Sequence, residues 1–405
     1  MNAFPKRLTV LMVLTLLAAA LLLLAVLYAA LKEAAFSNSY ALLADAFLHG
    51  KLDVAQCFDT DCAVIDGKTY VMFPPLPGLI ALPFVAMFGL GFKGFVLLGL
   101  AFAALSTFFW ADILDKLLGG NKRLVVWMLV AIAFASPLYY VTIRSDGVWF
   151  FAQSTAFFFV SAAIHFALIR KWLIWAGLAI GLAFLCRQMS IFYLPFLFVL
   201  TLSDDAPLFR FDGKRIWAIF KMGLPAAALV LAYLVYNYVR FGAFGSTGYE
   251  HMNTEAVDLV MSTRLTGGGL FSLDFGLFNL LYLLFQGFHV QFSGDGMLDL
   301  AGIDPFGTSL LAASPFVLFA FFAPNRREIW IGLATIIIMV VPMLFYHSNG
   351  FSQYNVQRYT LDWLPILFVI LGRTLPVGKF ESFPLFVSFG VVLNVVTIAL
   401  LAITT

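Results

Sequence analysis

Apolar residues run along this chain in long blocks with few charges, the pattern of helices surrounded by hydrocarbon rather than helices with one wet face. The first block, Leu8 to Leu31, follows Lys6 and Arg7. A cleavable leader has a core of about 7–15 apolar residues before a small-residue site. This stretch is longer, which predicts an uncleaved membrane anchor. Further blocks follow at Gly94–Ala111, Leu124–Ile143, Val148–Ile169, Trp172–Leu185, Met189–Leu202, Ile216–Val239, Ser309–Ala323, Ile329–Tyr346, Thr360–Leu371 and Phe383–Thr404. Together they predict an all-α integral membrane protein with about eleven transmembrane helices. Several blocks fall short of the ~20 residues that cross ~30 Å of hydrocarbon, so they must sit in thinned bilayer or be broken at a site.

Charge decides the ambiguous stretches. Leu79–Leu90 and Phe271–Phe292 are read as helices lying at the interface, and Trp172–Leu202 as two short helices with Arg187 and Gln188 at an outer hairpin. This arrangement leaves fifteen of the 24 basic residues in loops on the amino-terminal side, from Lys6 and Arg7 through Arg210 and Arg326 to Lys379. The excess of Lys and Arg predicts a cytoplasmic amino terminus and a carboxyl terminus outside. Fifteen of the 22 acidic residues fall on the outer side. Acidic residues contribute little to orientation, so their bias points to function. Two long outer segments, about 32–93 and about 240–307, elaborate what reads as one polytopic domain over residues 1–405. No repeat of fixed period is present. In the first segment Ser37-Asn38 is a candidate N-cap for a helix over Tyr40–His49, with Gly50 past its end.

Composition agrees. Hydrophobic residues make up 62% and charged residues 11% of the chain, against roughly 45–50% and about 25% in soluble domains. The net charge of +2 is too small for a nucleic-acid partner. Cys57 and Cys62 bracket Phe58-Asp59-Thr60-Asp61 in the first outer segment. A local disulfide is the favoured reading in an oxidising compartment. A metal held by both thiolates and the two aspartates is the alternative, with no His nearby. Cys186 reads as a packing residue.

No phosphate loop, no G-x-G-x-x-G opening a helix and no H-E-x-x-H is present. The informative pattern is distributed over Tyr40–Asp53, Asp66–Gly78 with its Pro74-Pro75-Leu76-Pro77 run, Gly177–Arg187, Tyr236–Gly242 and Gln357–Pro365. In this order the segments resemble the GT-C superfamily of membrane glycosyltransferases, the group of protein O-mannosyltransferases and lipid A aminoarabinose transferases. The resemblance spans about Lys6 to Arg373. It implies transfer of a sugar from a polyprenyl-phosphate carrier to a glycan, lipid or protein acceptor at the outer face of a bacterial inner membrane. An outer-loop carboxylate would act as general base, with Arg or Lys stabilising the departing phosphate. The resemblance fixes no cofactor, and a divalent cation is left open.

The chain departs from the family where the base usually sits. Phe36-Ser37-Asn38-Ser39 carries no carboxylate just before Tyr40. Candidate substitutes are Asp45, with His49 one turn later to orient it, and Asp66, which precedes Gly67. Each also has a structural reading, as a solvated helix-face acid and a turn residue. Arg358, Arg187 and Lys68 are candidates for the donor phosphate. Arg144 and Asp146, between two spans, are candidate acceptor or supporting residues or a local ion pair. Asp362 has the same candidacy, or closes an i,i+4 pair with Arg358. A transporter or lipid flippase, or a non-catalytic subunit of a polysaccharide assembly complex, are the alternative classes. Ionisable residues at helix ends rather than midplane, and the lack of duplicated halves, favour an enzyme.

Overall fold

The computed structural model describes all residues except 1–5, 60, 204–205, 209–211, 253–258, 351–352, 356, 379 and 405. Arg210 and Lys379, both used in the charge count, lie outside the described residues. Six helices are long and apolar enough to cross a membrane: α1 (Lys6–Lys32), α4 (Phe95–Leu117), α7 (Val148–His165) with the π-turn Phe166–Arg170, α10 (Gly213–Phe241), α14 (Arg327–Leu344) and α16 (Phe383–Thr404). Between α1 and α4 lie two short helices, α2 (Ser39–Leu48) and α3 (Leu76–Phe88), with the hairpin β1 (Cys62–Ile65) and β2 (Lys68–Val71) between them. A seventh span is the pair α5 (Lys122–Phe134) and α6 (Pro137–Ile143), bent by 46°. The bend has a local cause. Pro137 opens α6, and the Ser136 hydroxyl caps it by accepting from the Leu138 amide at 3.2 Å.

The expected eleven spans therefore become six, or seven with the bent pair, among the described residues. The remaining apolar blocks form shorter pieces. Trp172–Leu202 contains α8 (Leu173–Phe184), a 3-10 turn at Gln188–Tyr193 and α9 (Leu194–Thr201). Ser309–Ala323 contains α13 (Leu310–Ala313) and a 3-10 stretch. Thr360–Leu371 becomes a 3-10 turn and α15 (Leu364–Thr374). Twelve residues of α8 rise only about 18 Å, short of the hydrocarbon thickness.

Contacts between helix ends show that these pieces run antiparallel. Lys171, just before α8, donates to Leu200 O at 2.6 Å near the end of α9, so the two helices form a hairpin with Arg187 at its apex. Arg373, in the last turn of α15, approaches Glu328 in the first turn of α14 at 3.4 Å. Lys116 at the end of α4 donates to Leu168 O at 2.8 Å beyond the end of α7. Lys122 meets Asp115 at 2.6 Å, and Arg327 bonds Ser203 O and Ala206 O. One end of the bundle, the basic end, is thus held by cations on helix C-terminal carbonyls and on acids. The opposite end carries the functional cluster described below.

The segment between α1 and α4, expected above to lie outside, packs closely. Asn38 caps α2, and a Cβ on Gly78 of α3 would come within 2.9 Å of Leu43. At the far end of α1, both oxygens of Glu33 accept from the first amides of α4, Phe95 N and Val96 N, at 3.0 Å each. The second outer segment holds α11 (Leu259–Gly268), α12 (Gly276–Leu284) and the hairpin β3 (Val290–Ser293) and β4 (Asp299–Ile303). Along α12 and its flanks, Leu273, Leu277, Leu281 and Phe285 are exposed while Phe275, Asn279 and Leu283 are buried. That i,i+4 stripe is the pattern of a helix lying flat with one face in lipid. Asn279 fixes it by donating to Leu344 O and Tyr346 O at 2.9 and 2.8 Å.

The pair α8–α10 is closed by glycine. A Cβ on Gly177 would come within 1.9 Å of Met222 O, and one on Gly181 within 3.1 Å of the Ala226 Cα. The Met222 backbone cannot yield as a flexible side chain does. Gly177→Ala is expected to destabilise the fold by about 1–3 kcal/mol through overpacking, read as a lower melting transition in detergent. An unchanged melting transition would mean that the two helices separate freely.

Candidate active site

The α8–α9 hairpin apex and the 3-10 turn Arg358–Asp362 ahead of α15 bring two arginines to one place. Arg187 grips Asp362 with two parallel bonds, Nε to Oδ1 at 3.1 Å and Nη2 to Oδ2 at 2.6 Å. This is the planar fork that guanidinium and carboxylate share. Asp362 thus pairs with Arg187, 175 residues away, and not with Arg358 four residues before it. Tyr193 donates to the Asp362 carbonyl at 2.9 Å and holds the turn.

Arg358 is 4% exposed. Its Nη1 donates to Gln153 Oε1 at 3.0 Å and its Nε to Gly350 O at 3.3 Å. Gln153 Nε2 returns a bond to the Arg358 carbonyl at 3.1 Å. A buried guanidinium needs such partners. The Tyr359 ring adjoins both arginines, 4.8 Å from Arg358 and 5.2 Å from Arg187. Phe150 lies 5.0 Å from Arg358 and 5.4 Å from Arg144, which faces Asp146 at 3.6 Å. The structure therefore gathers Arg144, Asp146, Arg187, Arg358 and Asp362 around the first turns of α7.

Asn38 is buried and doubly engaged. Its Oδ1 accepts from Tyr40 N at 3.0 Å, and its Nδ2 donates to Ser145 O at 3.2 Å. A further carboxylate reaches the cluster from the loop between Cys57 and Cys62, by way of Trp149. Cys57 and Cys62 are joined in a disulfide, as favoured above, so their sulfurs are not thiolates for a metal. Inside that loop Asp59 Oδ1 accepts from the Asp61 amide at 2.9 Å, the local bond typical of an Asx turn. Burial pushes the Asp59 carboxyl up, against the Asp61 amide, which lowers it. The Ser39 hydroxyl faces Asp59 without meeting hydrogen-bond geometry, and Asp59 Oδ2 is buried with no partner. Asp61 Oδ2 accepts from Trp149 Nε1 at 2.6 Å, and the Trp149 ring lies 6.0 Å from the Arg358 guanidinium. Among the charges acting on Arg358 are those of Arg187, Asp362 and Asp61. Asp61 also acts on Tyr249 and Tyr346.

Three candidates stand apart from this cluster. Asp45 lies on the exposed side of α2, with His49 Nδ1 at 3.6 Å from its carboxylate. Asp66 is exposed at the β1–β2 tip, where φ is +51° for Asp66 and +75° for Gly67. That is the Asp-Gly pair of a two-residue hairpin turn. Lys68 follows it, exposed, paired with Ile65 in the ladder. The hairpin is held from behind by Arg240, which donates to Val71 O at 2.6 Å and Asn237 Oδ1 at 2.9 Å while stacking 3.8 Å from the Tyr236 ring. The Tyr236–Gly242 segment thus acts as a clamp.

Trp149 and Gln153 were not singled out by sequence reasoning, and Asp61 only as a ligand of the alternative metal site. A signal existed for two of them. Gln153 is a polar group inside an otherwise apolar span, which marks a partner or a cavity. Asp61 sits in the only short loop closed by two cysteines. Nothing local points to Trp149.

No family model matches this sequence, and no curated protein matches it. Solved structures do. The crystal structure of ArnT from Cupriavidus metallidurans bound to undecaprenyl phosphate is similar with a TM-score of 0.51 and 17% identity, covering 92% of this chain and 61% of that chain. The apo structure of the same protein gives a TM-score of 0.48 and 15% identity over the same shares. This chain thus spans about three fifths of the length of its structural neighbour. The likeness covers nearly the whole of this chain, which shares the fold of ArnT.

Proposed function

We propose that the protein transfers a sugar from a polyprenyl-phosphate carrier to an acceptor hydroxyl at the end of the bundle opposite the basic end. The observation that carries this reading is the pair of arginines that share the Tyr359 ring, with the Asp61 carboxylate bonded to the indole that adjoins Arg358. Asp362 occupies Nε and Nη2 of Arg187, and Gly350 and Gln153 occupy Nε and Nη1 of Arg358. Each guanidinium is fixed along one edge and keeps its remaining nitrogen for phosphate oxygens. That the structural neighbour was crystallised with undecaprenyl phosphate supports a carrier of this class.

The chemistry balances. The acceptor oxygen attacks the anomeric carbon, the bond from that carbon to the carrier phosphate breaks, and Asp61 takes the acceptor proton. The carrier phosphate gains one negative charge as Asp61 loses one. The cluster's net charge therefore stays constant, which favours reaction in a site screened from water. Asp61 fills the role that Asp45 and Asp66 were considered for. Arg144 and Asp146 bound the acceptor side. A single displacement of this kind inverts the anomeric centre.

The same reading places the amino terminus and the basic end in the cytoplasm of a bacterium, with the site facing outward. The end-to-end contacts of the α8–α9 hairpin and of α14 with α15 support eleven passages, the short ones meeting the bilayer where it thins.

Release of polyprenyl phosphate from labelled carrier-linked sugars by the purified protein tests this. Acceptor-dependent release supports the transferase. Carrier binding without release from any carrier-linked hexose or pentose would make it a non-catalytic subunit. Carrier movement between leaflets without release would make it a flippase.

A further inference from the structure

The basic end carries a site that the transferase reading does not use. Two adjoining cavities of about 240 Å³ and about 340 Å³ share Lys171 and Leu173. The first is bounded by Trp172, Trp175 and Lys221, the second by Asp212, Lys214 and Arg215. Their origin lies in the packing of α8 on α10. The helices run in parallel, with Gly177 against Met222 and Gly181 against Ala226. Toward the basic end the exposed Trp172 and Trp175 of this stretch of chain stand beside Lys221 of α10 and bound the groove.

Among the described residues, Lys171, Lys214, Arg215 and Lys221 line this groove together with the carboxylate of Asp212. Asp212 is already engaged as the cap of α10, its Oδ1 accepting from Arg215 N at 2.9 Å. Lys171 spends one of its three donors on Leu200 O. The Arg215 guanidinium bonds Pro207 O and Leu208 O. Lys221 is the most telling. It is the ninth residue of a 29-residue span, about 12 Å along the axis from its start, and it is exposed with its ammonium 5.6 Å from the Trp217 ring. A 29-residue helix, about 43 Å long, exceeds ~30 Å of hydrocarbon by about that axial distance, so the Lys221 ammonium stands near the headgroup level, where a cation attracts anionic lipid. Beside it Ile174, Trp217, Phe220 and Leu224 present exposed apolar side chains toward hydrocarbon.

We propose that this groove binds the phosphodiester headgroup of an anionic phospholipid in the leaflet at the basic end, with its acyl chains along α8 and α10. The apolar flank selects a lipid over a soluble phosphate, and the cations select an anionic headgroup over a zwitterionic one.

The test uses the full chain in detergent, titrated with phosphatidylglycerol or phosphatidylcholine and read as bound lipid by native mass spectrometry. Wild type is expected to prefer phosphatidylglycerol by roughly tenfold or more, given about 1 kcal/mol per interfacial cation. The triple variant Lys171→Gln, Lys214→Gln, Lys221→Gln should lose that preference. Lys122→Gln, a cation of the same end already paired with Asp115, should keep it. Should the triple variant fail to fold, Lys221→Gln alone is expected to lower the preference at least threefold. Equal binding of the two lipids by wild type, or an unchanged preference in the folded variants, overturns the proposal. Competition by glycerol phosphate at the same concentration as phosphatidylglycerol would assign the groove to a soluble phosphate and overturn it as well.

Discussion

Asp61→Asn is expected to lower sugar transfer by roughly 10²-fold or more, the scale of a positioned proton acceptor, while carrier affinity changes less than threefold. The amide keeps an oxygen for Trp149 Nε1 but cannot take the acceptor proton. Asp59→Ala should fall between wild type and Asp61→Asn, because Asp59 acts by holding the Asp61 amide at 2.9 Å. Asp45→Asn and Asp66→Asn serve as comparisons, since both carboxylates are exposed and stand apart from the arginines. Turnover by Asp61→Asn at the wild-type rate, with loss in either of the other two, would move the base to that residue. The measurement is initial rate at saturating carrier, with binding of the carrier followed separately.

Arg358→Lys is expected to weaken carrier binding by about 1–3 kcal/mol, roughly 5- to 150-fold. An ammonium has no planar fork, so it cannot satisfy Gln153 and Gly350 and also face a phosphate with fixed geometry. An arginine that only reached out to headgroups would tolerate this exchange. Arg358 is buried beneath Trp149, Phe150 and Tyr359, and its position leaves no such outward path. Arg358→Ala removes the cation as well and strands Gln153 Oε1 and Gly350 O, so it should lower both affinity and the melting transition. Equal affinity for a polyprenyl-phosphate sugar in wild type and both variants would remove Arg358 from the donor site.

Local features were legible from the sequence because their causes are local. Asp66-Gly67 demands a hairpin turn, and Cys57 and Cys62 stand close enough to join wherever the loop goes. The hairpin at Arg187 follows from two short apolar blocks and the sidedness of the basic loops. The lengths of the spans were less legible, and of the eleven expected only six, or seven with the bent pair, are single long helices among the described residues. Apolarity marks a block as buried in lipid or protein alike, while crossing also requires unbroken helix, and the Ser136-Pro137 bend and the 3-10 turns interrupt it.

The sequence by itself determined the membrane class, the helical pieces and their order, since a chain in hydrocarbon must satisfy its backbone within each segment. It also marked Arg187, Arg358 and Asp362 as charges at helix ends. Which of these charges meet was decided only by the tertiary structure. Arg187 finds Asp362 across 175 residues, Arg358 finds Gln153 across 205, and Asp61 finds Trp149 across 88. No period in the chain encodes such pairs. They depend on which helix faces touch, and those faces are set by packing over the whole bundle, down to the glycines that let α10 lie against α8.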